Sequence, residues 1–472
     1  MKTFLFSLLV FIVFAPYRVL AQWSTPVNIS PLAMNASMNE NMGPCIAVSH
    51  DTIHVIWSDK RTKGSAIYYT RSIDSGHTWS TAVAITDTMG KASMPSIAVN
   101  GRNIHVVWWD SLNEVTHFTT NGNSSFYLHS TNGGNSWSTK VCIDSVTLFW
   151  PGVSVSGSTV LVSLNKGGFD STSVWLTKST DNGNSWGTEQ MVSTRVGQGR
   201  SEDQAIATDG KYIHLSWNDN RSGTMEIYYR RSRDMGQTWD PEVAMTDINS
   251  YTTMISLDSS HVDIAHGVDS TYYNSWVRQS SDSGGKWNPD EQVTTNTISN
   301  DDQIYPFLIR NGLNLHMVSF DIGLWREYYS YSADGGVTWA PEVFLGTGHG
   351  SPFIALTCPV LHVIWPNSGI IYYTRNSTGN PSCNSVSGFV NNKHLNTSFL
   401  LYPNPVENTA IISFEEGGIH KVELDDVTGR KVLGFTCPAK EYSFSCNGLS
   451  AGLYFIKVTN DKDFKIVKFI KQ

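Results

Sequence analysis

One phrase of eight residues returns so often along this chain that only a repeat architecture accommodates it: serine, aspartate two residues on, glycine two further, and tryptophan three beyond that. It stands at Ser72, Asp74, Gly76 and Trp79; at Ser179, Asp181, Gly183 and Trp186; at Ser232, Asp234, Gly236 and Trp239; at Ser280, Asp282, Gly284 and Trp287; and at Ser332, Asp334, Gly336 and Trp339. A sixth copy, Ser130 to Trp137, carries Asn132 in place of the aspartate. The spacing suits a tight turn. Serine and aspartate side chains bond nearby backbone groups, glycine takes a positive φ, and tryptophan packs the turn on its neighbours. Asp74, Asn132, Asp181, Asp234, Asp282 and Asp334 therefore read as structural staples, because an active site is not built six times in one chain.

Around each phrase the same four short runs recur, rich in β-branched and aromatic residues. In the first repeat they are 44–48, 54–57, 67–71 and 79–85. First runs begin again near Pro95, Pro151, Asp203, Thr252, Tyr305 and Pro352, which makes seven starts. The last repeat has lost its phrase after Asn376 and has no fourth run, but Trp23 to Ile29 copies Trp79 to Ile85 almost residue for residue. The N-terminal segment is thus expected to supply the outer strand of the last repeat and close the ring. The phrase resembles the Asp box, or BNR repeat, of sialidase-like β-propellers. That resemblance implies an all-β propeller over residues 22–384, seven-bladed by the repeat count, with six blades as the alternative because family sialidases have six.

The chain opens on Lys2, an apolar stretch from Phe4 to Phe14, and Ala21, the pattern of a cleaved signal peptide over residues 1–21. No later run has the length and apolarity of a transmembrane segment. The net charge of −8 is uneven: the leader carries +2, Lys393 +1, and residues 399–472 balance nine basic with nine acidic groups, which leaves about −11 on 22–384. So acidic a body excludes nucleic acid as the expected partner. The six cysteines show no C-x-x-C spacing, and no cofactor motif or metal-ligand set is visible. Cys437 and Cys446 flank a short hairpin and are the favoured disulfide pair, with two independent buried thiols as the alternative.

Residues 385–398 have no repeat or periodicity and read as a linker. Beyond them, short alternating runs separated by Asn-Pro and Thr-Gly turns predict a small Ig-like antiparallel β-sandwich over 399–472. Leu401 to Pro405, Val422 to Arg430, Gly448 to Val458 and the terminal Lys468 to Lys471 resemble the type A sorting domain of the type IX secretion system of Bacteroidota. The resemblance implies recognition by the outer-membrane translocon, removal during export, and a mature protein that is secreted or held at the outer cell surface.

The sialidase resemblance does not extend to catalysis. Those enzymes carry Arg-Ile-Pro before the first strand, and the arginine clamps the substrate carboxylate; here Met42, Gly43 and Pro44 stand there, and methionine offers no bidentate donor. The loop after Asp59 to Arg61, where the family keeps its acid/base aspartate, runs Thr62 to Ala66 without a carboxylate. No catalytic residue is assigned. Tyr68-Tyr69, Tyr228-Tyr229, Tyr328-Tyr329 and Tyr372-Tyr373 repeat at one strand position and read as packing, as do His54, His105, His214, His316 and His362, which are arrayed around a ring rather than converging. The expectation is a non-catalytic surface propeller that binds a glycan or a protein, the alternative being an exo-α-sialidase or other glycoside hydrolase with a divergent site. The candidate ligand residues end the second strands: Trp57, Asp59, Arg61, Trp109, Asp110, Trp217, Asp219, Arg221, Asp321 and Asn367. Aromatic faces beside amide, carboxylate and guanidinium groups suit sugars, and a tie from each loop to the next repeat is the competing role.

Overall fold

A computed structural model describes residues 23–33, 35–38, 43–60, 64–111, 123–147, 150–168, 171–194, 201–269, 273–294, 303–377, 399–402, 406, 408–414, 420–426, 431–437, 439–450, 452–459 and 464–471. The expected leader and linker, Met42 and Arg61 lie outside them. No helix occurs among the described residues, and the chain divides into two units, Met1–Val390 and Asn391–Gln472.

The described residues of the first unit form seven antiparallel sheets, taken in the order in which their inner strands follow along the chain. Those strands are Ile46–Ser49, Ala92–Asn100, Gly152–Ser156, Ser201–Thr208, Ser250–Asp258, Gln303–Asn311 and Phe353–Thr357. Each touches the next, and the seventh touches the first, so the sheets stand in a closed ring. Second strands such as Thr52–Asp59 and Asn314–Asp321 are buried on both faces, because each sheet is covered by a neighbour on either side.

Closure is made by the N-terminus. Val27 and Asn28 pair with Tyr373 and Tyr372, Ser24 N donates to Arg375 O at 2.8 Å, and Ile29 N donates to Ile371 O at 3.0 Å. This expectation from the copied Trp79 phrase is met by direct pairing.

The repeated phrase is the staple its composition predicts. Ser72 Oγ donates to Asp74 Oδ1 at 2.7 Å and accepts from Gly76 N at 2.8 Å, while Thr78 N and Oγ1 donate to the two Asp74 oxygens at 2.9 and 2.6 Å. Asp181, Asp234 and Asp334 repeat the arrangement. Gly76 is obligatory for two reasons: its φ is +84°, and the Tyr373 hydroxyl of the preceding sheet lies where a Cβ would stand.

That tyrosine joins the sheets. His362 Nδ1 and Tyr373 OH are 2.8 Å apart, and Trp79 of the next sheet meets the Tyr373 ring edge-on at 4.8 Å. His54 with Tyr69 and Trp137, His105 with Tyr127 and Trp186, and His214 with Tyr229 and Trp287 are built alike. His316 and Tyr329 complete the set with Trp23, which meets Tyr329 at 4.9 Å and so takes the place of the tryptophan missing from the last repeat. Burial lowers the imidazoles of His54 and His214 to about 4 and those of His105, His316 and His362 to about 3, which keeps them neutral.

The described residues of the second unit form two antiparallel sheets, one of three strands and one of four, around a core that includes Val406, Ile412, Phe414, Val422, Leu424, Ile456 and Phe469. The favoured Cys437–Cys446 disulfide is not formed: both thiols are free and buried in this core, Cys437 Sγ donating to Ala439 O at 3.3 Å. Closeness in sequence does not by itself bring two Cβ atoms into bonding geometry. Cys358, by contrast, is disulfide-bonded.

Candidate functional site

Second strands end at Asp59, Ser111, Asp219, Asp321 and Asn367, and the staple turns follow the antiparallel third strands, so the two features lie on opposite rims of the ring. The rim carrying the second-strand ends is the one the sequence singles out, and its residues divide into buried ties and a small exposed group.

The ties hold most of the expected ligand residues. Trp57 is buried and stacks on Tyr68 at 6.2 Å, and Asp59 accepts from Asn35 N at 3.4 Å. Trp109 is buried against Met94 and Trp150, and Asp110 accepts from Lys91 N at 3.2 Å. The fourth sheet is bonded most fully. Asp219 accepts from Ser201 Oγ at 2.7 Å, Trp217 Nε1 at 3.2 Å, Arg221 N at 3.0 Å and Arg221 Nη2 at 2.5 Å. Arg221 also donates to Glu242 Oε2 at 2.6 Å and lies over the Tyr228 ring. Burial alone would raise the Asp219 carboxyl, but the Arg221 and Ser201 hydrogen bonds outweigh it and hold the group below its ordinary range. Among the described residues, no three or more histidines, cysteines or carboxylates gather around one point as a metal site.

The exposed group is carried by the sixth and seventh sheets. Asn367 is half-buried; its Oδ1 meets His349 Nδ1 at 2.7 Å and its Nδ2 donates to Thr347 Oγ1 at 3.0 Å. The His349 ring lies 4.7 Å from the Trp325 ring. Trp325 sits in the turn between Asn314–Asp321 and Arg326–Ser332, remains 48% exposed, and has φ +56°. A bulky residue in the left-handed region costs on the order of 1–3 kcal/mol and persists only where its surroundings impose it. Here Leu324 N donates to Asp321 Oδ1 at 2.8 Å and Gly348 N donates to Trp325 O at 3.1 Å. On the same rim is a cavity of about 300 Å³, lined by Asn35, Ser37, His349, Ser351 and Ser368 among others. An apolar ring face, an imidazole, amides and hydroxyls thus share one small surface.

Trp325 escaped the sequence reading because it has no counterpart in the repeat; its signal is an apolar turn, Ile322 to Trp325, where a surface loop would be polar. Glu327 escaped it too. It pairs with Phe320 across the strands, in the register that holds Ile67, Val174, Ile227 and Ile371 in four other sheets and Ser125 and Ser275 in two.

No curated protein matches the chain. Among solved structures, the chain is similar to a polysaccharide lyase, an ulvan lyase bound to -[GlcA(1-4)Rha3S]-, at 10% identity and TM-score 0.52 over 74% of this chain and 95% of that one. It is also similar to a protein of unknown function from Dyadobacter fermentans (14%, TM-score 0.47, 75% and 99%) and to a Hadza microbial sialidase (14%, TM-score 0.42, 71% and 65%). At such identities the likeness to the lyase extends to the fold alone. The C-terminal unit is matched by sequence: residues 400–472 fit the family of secretion system C-terminal sorting domains. The chain is therefore a β-propeller followed by a secretion system C-terminal sorting domain.

Proposed function

We propose that this protein is exported by the type IX secretion system and acts outside the cell or on its outer surface as a non-catalytic binder of glycans. The observation that carries the reading is Trp325, an indole held exposed in a left-handed backbone conformation, flanked by His349 and Asn367 on the rim that holds the 300 Å³ cavity. An aromatic face backed by imidazole and amide groups stacks on the C–H face of a sugar and bonds its hydroxyls. The expected ligand residues Trp57, Asp59, Trp109, Asp110, Trp217, Asp219 and Asp321 are buried, so their part in this reading is to hold the rim in shape. Arg221 is tied to two carboxylates, and Asn367 is the member of the set that stands beside Trp325 through His349.

The experiment is a glycan array probed with the full chain and its Trp325→Ala variant, run alongside assays for released sugar and for unsaturated lyase products. Binding by the wild type that falls at least about tenfold in the variant supports the reading, the size expected for one lost stacking contact. Equal binding by both removes Trp325 from the site, and turnover of any bound glycan replaces the non-catalytic reading with an enzymatic one.

A further inference from the structure

Sugars differ most sharply in charge, and the rim beside Trp325 is built without charged side chains. Among the described residues, the lining of the cavity of about 300 Å³ contains no lysine, arginine, aspartate or glutamate. Its polar members are Asn35, Ser37, His349, Ser351 and Ser368. Asn367 and Trp325 join them through His349, the first by a 2.7 Å hydrogen bond and the second by a ring contact at 4.7 Å. Ala36 N donates to Gly369 O at 2.9 Å and His349 N donates to Pro366 O at 2.8 Å, so the walls are fastened to one another across the seam where the ring closes.

The hydrogen bonds set the polarity of this surface. Asn367 Nδ2 donates to Thr347 Oγ1 at 3.0 Å, which leaves Asn367 Oδ1 to accept from His349 Nδ1. With its proton held on Nδ1, a neutral imidazole offers Nε2 as an acceptor. A sugar hydroxyl can donate to that nitrogen, whereas the oxygens of a carboxylate or sulfate ester, which only accept, cannot. The amide of Asn35 and the hydroxyls of Ser37 and Ser368 both donate and accept, as a ligand rich in hydroxyls requires.

Charge beneath the rim acts in the same direction. Asp59 accepts from Asn35 N at 3.4 Å, and Asp321 accepts from the amide of Leu324, next to Trp325, at 2.8 Å; both carboxylates are fully buried. Buried charges are screened less than exposed ones, and residues 22–384 carry a net negative charge as a whole. Arg326 follows Trp325, but its guanidinium lies over the Phe344 ring of the outer strand and is not part of the cavity lining. An anion that leaves water needs a guanidinium or ammonium group in contact, and the lining supplies neither. Resting on the assignment of Trp325 to a glycan site, we propose that the ligand is an uncharged glycan, held by stacking and by hydrogen bonds to its hydroxyls, and that sugars bearing carboxylate or sulfate groups are rejected.

The test compares glycans that differ in charge, using the full chain at pH 8: polygalacturonate with its methyl ester, carrageenan with its desulfated form, and sialyllactose with lactose. In each pair that is bound, the uncharged member should bind at least about tenfold more tightly, and added sodium chloride should leave its affinity within about twofold. Asn35→Lys, which sets an ammonium group at an exposed point of the lining, should narrow that preference at least about threefold. If the lysine variant lowers the melting temperature, Ser37→Lys, also exposed, carries the comparison. Equal or tighter binding of the acidic members, lost in Trp325→Ala, overturns the inference and leaves the glycan site standing. A preference that the lysine does not move overturns it too, because the cavity then plays no part in selection. Binding of no probe overturns the inference and the glycan reading together.

Discussion

The fourth and sixth sheets place an aspartate at the same point, the end of the second strand, and treat it in opposite ways. Asp219 is met by Ser201, Trp217 and Arg221, and Arg221 is in turn shared with Glu242. Asp321 has one backbone donor, and the strand opposite it carries an exposed arginine, Arg326, followed by a second buried acid, Glu327, whose oxygens have no hydrogen-bond partner. The backbone of the repeat sets where a carboxylate stands. Whether that carboxylate tightens the fold or strains it depends on two or three side chains outside the repeated pattern, and in a buried site the difference amounts to several kcal/mol.

The comparison breaks most visibly at Arg221. Arg221→Ala strands Asp219 and Glu242 in a largely buried site and should cost about 3–5 kcal/mol in a denaturant titration. A loss under 1 kcal/mol would mean that the neutral donors around Asp219 suffice. In the sixth sheet the sign reverses: Glu327→Ile should gain about 1–4 kcal/mol, since an apolar side chain replaces a buried acid. A loss there would show that the acid contributes to the fold.

Titration sharpens the contrast. His54, His105, His214, His316 and His362 are held neutral at about 3 to 4, below the 6.5 of a free imidazole, so the unfolded chain binds protons that the folded one does not. Their stabilisation is complete above pH 6.5 and drains away as pH falls toward 3 to 4. Glu327 is raised by burial and by Asp321, so its contribution to stability falls as pH climbs above 4.5. Melting temperatures measured from pH 4 to 9 should fall at both ends in the wild type, and Glu327→Ile should keep the acid limb while flattening the alkaline one. An unchanged alkaline limb would assign that loss to other groups. The smallest effect belongs to Trp325→Ala, an exposed position where stability should move within about 0.5 kcal/mol while glycan binding falls at least about tenfold. A larger drop would make the indole a structural element of the turn.

Much of this was legible in the primary structure. The six staple phrases mark their turns because each works through atoms two to four residues apart, Ser72 with Asp74 and Gly76, Asp74 with Thr78. Ring closure was legible because Trp23 to Ile29 copies a strand already seen. The Cys437–Cys446 pairing failed because nearness along the chain was taken for nearness of Cβ atoms. The rim was read from a phrase common to several repeats, and commonness is the mark of a part that every sheet needs internally; Trp57 and Asp59 are accordingly buried, while Trp325, which occurs once, is exposed.

Local pattern, then, determined the all-β class, the number of repeats, the staple turns and the sorting domain, since strand periodicity, turn chemistry and family motifs are all short-range properties. Which buried carboxylate meets an arginine and which has only a backbone donor was decided only when the ring closed. Asp219 reaches Ser201 on the neighbouring strand, Tyr373 reaches Gly76 some three hundred residues away, and Arg326 lies over Phe344. Charge compensation depends on distances of a few ångströms between side chains from different strands, and those distances exist only in the assembled ring.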